Sequence, residues 1–83
     1  MARVSVLYFA GLRDAVGLSE ESVELGGGIT TVGQLCDHLA ARHRPYAERQ
    51  SHVRIARNEA FACSDDRLVD GDVVALIPPV AGG

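Results

Sequence analysis

Apolar and polar positions alternate along residues 3–9, RVSVLYF, with Val4, Val6 and Tyr8 on one side and Ser5, Leu7 and Phe9 on the other. β-Branched and aromatic residues dominate the run, so it predicts a strand. Its second, mixed side suits a half-exposed sheet that carries a local apolar patch. Residues 11–17, GLRDAVG, are bracketed by glycines and fit one short helical turn, and residues 22–25, SVEL, alternate again as a second strand. The period then changes. In TTVGQLCDHLAARHRP, Val32, Leu35, Cys36, Leu39 and Ala40 fall at the i, i+3, i+4, i+7, i+8 spacing of one buried helical face. Thr31 with Gln34 three residues on makes a capping box, Arg42, His43 and Arg44 suit the negative end of the helix dipole, and Pro45 stops the helix.

Beyond the helix, residues 53–57, VRIAR, predict a third strand, Asn58-Glu59 a tight turn, and residues 60–63, AFAC, a short return strand. SDDRLVDGD is loop and turn chemistry, with Asp70-Gly71 a strong turn dipeptide. Residues 73–77, VVALI, are continuously apolar, as in a central strand buried on much of its surface, and Pro78 and Pro79 end it because neither donates to a ladder. One helix with one apolar face and one sheet with one face to cover make an α+β domain of the β-grasp kind, a mixed sheet of about five strands packed on one main helix. Residues 1–77 form that domain and residues 78–83 an extended tail.

Composition narrows the function. Eighty-three residues make one small domain, and 47% hydrophobic content is enough for it to fold. A net charge of −3 argues against nucleic-acid binding. All eight basic residues are Arg, so no lysine amine is present for self-acylation. No apolar run reaches membrane-spanning length, and two cysteines without metal-type spacing suit a cytoplasmic protein.

The side chains offer little catalysis. Cys36 lies on the buried stripe of the helix and reads as a small hydrophobe, whereas Cys63 is the more exposed thiol without an obvious base. His38, His43 and His52 form no metal-ligand pattern and read as solvated or capping residues, so no metal site is expected. Asp65, Asp66, Asp70 and Asp72 read as turn and surface residues. Gly26-Gly27-Gly28 lacks the context of a phosphate loop and reads as a flexible turn.

The chemistry falls to the end of the chain, PPVAGG. Pro-Pro favours an extended conformation that projects the end from the body, and six residues at about 3.3 Å each reach roughly 20 Å. Gly82 and Gly83 have no Cβ and would pass a narrow channel to approach a nucleotide or substrate closely. The reactive group would be the terminal carboxylate, a poor acyl donor until adenylation by ATP supplies a leaving group.

With VSVLYFAGLRDAVG near the start, TTVGQLCDHLAARH on the helix and LVDGDVVALIPPVAGG at the end, the chain resembles over its whole length the ubiquitin-like sulfur carriers, and among them the small subunits of molybdopterin synthase. The resemblance implies a non-catalytic sulfur donor with no permanently bound cofactor. An adenylyltransferase related to the ubiquitin activators would use ATP to adenylate Gly83, and a persulfide donor would convert it to a thiocarboxylate. The tail would then enter the large subunit of molybdopterin synthase, in an assembly of two small and two large subunits, and give sulfur to a cyclic pterin precursor to form the dithiolene. Carried over position by position, Gly83 matches the sulfur-bearing terminus and Gly82 its neighbour. Pro78, Pro79, Val80 and Ala81 match the inserted tail, with Ala81 where related tails carry Thr. Phe9, Phe61 and Ile77 match an apolar docking patch on the open sheet face, and for Ile77 ordinary core is an equal reading. The same tail chemistry would serve a carrier for thiamine thiazole or cysteine synthesis, or a ubiquitin-like protein modifier, while a plain binding module would not need Gly82 and Gly83.

Overall fold

The computed structural model describes residues 2–79. Strand β1 (Arg3–Tyr8) leads into α1 (Ala10–Val16) and β2 (Glu20–Glu24). The main helix α2 (Val32–Arg42) is followed at once by α3 (Arg44–Arg49) and a 3-10 turn (Gln50–His52), then by β3 (Arg54–Arg57), β4 (Ala60–Phe61) and β5 (Val73–Ile77). The strands form one sheet in the order β2-β1-β5-β3-β4. β1 and β5 run parallel at its centre, and the β1–β2, β3–β5 and β3–β4 pairs are antiparallel. A mixed sheet with the last strand inserted beside the first, wrapped over one main helix, is the ubiquitin-like β-grasp.

Alternation in β1 and β5 decides which face is covered. Val4, Val6, Tyr8, Val74 and Leu76 point to the helices and are buried, with Leu12, Val32, Leu35, Leu39, Tyr46 and Leu68 completing the core. Removing a fully buried side chain here, as in Leu35→Ala, costs about 2–5 kcal/mol. Among the described residues, no second layer covers the opposite face. Val73 is 38% exposed and Ala75 and Ile77 half-buried, so the apolar run of β5 is buried on one face only, contrary to the expectation of a strand covered on much of its surface.

The start of α2 follows the capping pattern. Thr31 Oγ1 accepts from the Gln34 amide at 3.2 Å, and Gln34 Oε1 accepts from the Thr31 amide at 3.1 Å. Gly33 sits close against the Ser64 loop: its amide donates to the Ser64 carbonyl at 2.9 Å, and a Cβ there would stand 3.1 Å from the Ser64 Cβ, a tight contact. Two expectations change. Residues 10–16 form a seven-residue helix, longer than a single turn. Pro45 stands in the first turn of α3, where its missing N–H deprives nothing of a partner, so it begins a second helix after α2 has ended at Arg42.

Candidate functional site

Register places one apolar row across the uncovered face. Leu7 pairs with Ala75, Ala75 with Ala56, and Ala56 with Phe61, so these four stand side by side on β1, β5, β3 and β4. Phe61 is 66% exposed and Phe9, just past the end of β1, is 44% exposed. Together with Val73 and Ile77 they line a shallow hollow of about 560 Å³ whose far end is closed by Asn58 and Glu59. Phe9 and Ile77 also line an adjoining groove of about 620 Å³, which runs past Arg49 and His52 to Pro78 and Pro79. The two depressions meet where the chain leaves β5. Fold geometry therefore sets an apolar face directly beside the base of the last residues.

Of the residues singled out in the sequence, Phe9, Phe61 and Ile77 come together on this face, and Pro78 and Pro79 border the adjoining groove. Val80, Ala81, Gly82 and Gly83 lie outside the described residues. Leu7, Val73 and Ala75 belong to the same hollow and were not singled out. Their signal was the period-two alternation of β1 and β5, once β5 is placed beside β1.

The turn that rims the hollow is held from below. Asn58 and Glu59 have φ of 50° and 72°, the left-handed pair of a two-residue hairpin. Asp72 does not behave as a surface residue: it is 4% exposed and accepts from Arg57 Nε, Asn58 Nδ2 and the Val69 amide, each at 2.9 Å. Burial pushes its carboxyl up, but those three donors and the Arg57 charge outweigh burial and hold it below the usual range. The expected loop role survives for Asp70, whose Oδ1 accepts from the Arg3 amide at 2.8 Å, and Gly71 between them takes a φ of 89°.

On the covered side, His43 is not freely solvated. It ends α2, begins α3, and its Nε2 lies 2.7 Å from Glu21 Oε1, with its ring edge-on to Tyr8. The Tyr8 hydroxyl donates to the same carboxylate, and Arg42 Nη1 is 3.4 Å from Glu21 Oε2. Burial raises the Glu21 carboxyl, yet hydrogen bonds from Tyr8 and His43 and the charges of His43 and Arg42 leave it below its ordinary value. This cluster ties β1 and β2 to the helices and faces away from the hollow. Cys36 is buried and Cys63 exposed, both as free thiols. Among the described residues, no group of three His, Cys, Asp or Glu side chains is placed to hold a metal, and no helix is long and apolar enough to cross a membrane.

Residues 6–83 match the family model described as the ThiS family. The chain is a member of the ThiS family. It is 40% identical over 84 residues to the molybdopterin synthase sulfur carrier subunit of Mycobacterium tuberculosis, covering 100% of both chains. Among solved structures it is similar to a putative molybdopterin converting factor subunit 1 from Pyrococcus furiosus, with 35% identity, a TM-score of 0.84 and coverage of 96% of this chain and 100% of the other. It is also similar to the small archaeal modifier protein 1 of H. volcanii, with 28% identity, a TM-score of 0.82 and coverage of 96% and 100%. The β-grasp of this ThiS family member thus agrees with relatives whose names span sulfur carriage and protein modification.

Proposed function

We propose that the chain is the sulfur carrier subunit of molybdopterin synthase and acts in the cytoplasm. In this reading an adenylyltransferase joins the Gly83 carboxylate to the adenylyl group of ATP, with release of pyrophosphate. A persulfide then attacks the acyl carbon and expels AMP, and a thiol cleaves the resulting S–S bond to leave a Gly83 thiocarboxylate. The large subunit receives the tail, Pro78 to Gly83, and the carrier gives its sulfur to the pterin precursor. This chain supplies the docking face, Phe9, Phe61 and Ile77, and the acyl end, while the acid–base groups belong to the partner.

One observation carries the reading: an apolar, uncovered sheet face opens beside the base of PPVAGG, in a chain 40% identical along its whole length to a subunit of that name. The decisive experiment is intact mass after incubation with ATP, the cognate adenylyltransferase and a persulfide donor. A gain of about 16 Da at Gly83, oxygen replaced by sulfur, is expected. Retained sulfur transfer after deletion of Gly83 would overturn it. Similarity to an archaeal modifier supports a second reading, a protein modifier joined through Gly83 to target amines. It predicts covalent conjugates in extracts, which the carrier reading does not.

A further inference from the structure

Two charges stand on the apolar face, one at each end. Arg54 pairs with Ile77 at the tail end, and its guanidinium carbon lies 4.2 Å from the centroid of the Phe61 ring. Glu59 closes the hollow at the turn end, exposed and held at a φ of 72°, a conformation that disfavours side chains other than glycine and Asn. Among the described residues neither takes part in an ion pair. Three strand residues lie between Arg54 and the turn, and the four residue steps from Arg54 to Asn58 set the two charges on the order of 13 Å apart.

A partner that covers Phe61 also covers Arg54. The guanidinium stays ionised at any ordinary pH, and a charge taken out of water without a counter-charge opposes binding strongly. The same holds for Glu59. Apolar contact between the two ends is non-directional and fixes no register, whereas a cation and an anion at fixed separation do.

We propose that the partner surface seated on this face presents a carboxylate to Arg54 at the tail end and a cationic side chain to Glu59 at the turn end, with an apolar ridge between them. The charge pair sets the register in which the last residues enter the partner. Arg49 along the adjoining groove adds a second guanidinium near the tail end in a chain of net charge −3, which favours an acidic partner surface there. The inference rests on the docking role proposed above.

Calorimetric titration against the large subunit of molybdopterin synthase from the same organism tests it, using the native chain, Arg54→Met, Arg54→Lys and Glu59→Gln at low and high ionic strength. Arg54→Met keeps an aliphatic arm over Phe61 while removing the charge and the guanidinium donors. We expect Arg54→Met and Glu59→Gln each to bind about tenfold more weakly with a shallower salt dependence, Arg54→Lys to recover part of the loss, and melting temperatures to stay unchanged. Native affinity in both Arg54→Met and Glu59→Gln overturns the inference and leaves the proposed function standing. Failure of the native chain itself to bind overturns the proposed function and the inference with it. Self-association of the native chain that Arg54→Met abolishes and the large subunit does not compete away makes a second copy the occupant and also overturns the inference.

Discussion

Asn58 and Asp72 hold each other at 2.9 Å across the base of the β3–β4 hairpin, and this contact fixes where Phe61 stands. β4 is only Ala60–Phe61, too short to anchor itself. Asn58 supplies the missing bonds: its amide donates to the Val73 carbonyl at 2.8 Å and its Oδ1 accepts from the Val73 amide at 2.9 Å. Asp72 fixes the Asn58 side chain for that task. The DGD string is therefore a latch beneath the apolar hollow.

Asp72→Ala leaves the Arg57 guanidinium and the Asn58 amide without their acceptor. The Arg57 side chain is one-third exposed and recovers some hydration, so the expected loss is about 2–3 kcal/mol, near the lower end for a broken buried pair. Asp72→Asn keeps the shape and loses about 1–2 kcal/mol. Urea unfolding with an unchanged slope checks both, and a loss below about 0.5 kcal/mol for Asp72→Ala would show that the latch is not structural.

Stability should fall on both sides of neutrality. Asp72 and Glu21 sit below their ordinary values in the folded chain. The unfolded state therefore takes up protons first, and their contribution, complete above about pH 4, is lost as pH falls through the folded values. Tyr8 and Tyr46 sit above theirs, Tyr8 through burial and then its bond to Glu21, Tyr46 through burial and then its bond to Cys36. Their contribution is present below about pH 10 and is lost as the unfolded phenols ionise above it. Melting temperature followed from pH 3 to 11 (values set about the ordinary carboxyl and phenol ranges) should show a plateau with two falling limbs. Asp72→Asn should flatten the acid limb alone.

Much of this architecture was legible because local signals and tertiary demands agreed. The period change from β1 to α2, the Thr31–Gln34 box and the Asn58-Glu59 turn each read correctly from residues within four positions of one another. What was not legible depends on distant partners. Nothing near Asp72 in the chain announces that Arg57 and Asn58 will enclose it, and nothing near His43 announces Glu21. The apolar run of β5 resembles a strand covered on both faces, and only because no second layer covers it among the described residues do Val73, Ala75 and Ile77 line an open hollow. Pro45 was ambiguous for a local reason, since the same ring that stops one helix is well suited to start the next.

Phe9→Asp separates docking from folding. Phe9 is the residue before α1 and its carbonyl already accepts from the Leu12 and Arg13 amides at 3.1 and 3.2 Å. Aspartate is a favoured residue at that position and adds a side-chain acceptor, so the melting temperature should hold. The charge it brings to the rim of the hollow should weaken binding of the large synthase subunit by about thirtyfold or more, the scale of an interface anchor. An unfolded Phe9→Asp chain would instead assign Phe9 to the core.

Glu59→Gly tests whether the strained turn is kept for its charge. Glycine relieves the left-handed cost at a φ of 72° but adds freedom to the unfolded chain, so a net gain of about 0.5 kcal/mol is expected. Docking should weaken in the same variant by the same factor as in Glu59→Gln, because both lack the carboxylate while only one changes the backbone. A chain that is more stable yet binds less well would show that the carboxylate stands in a costly conformation because the partner reads it. Equal docking by Glu59→Gly and the native chain would leave the strain without a role in recognition, and the register would then have to come from Arg54 alone.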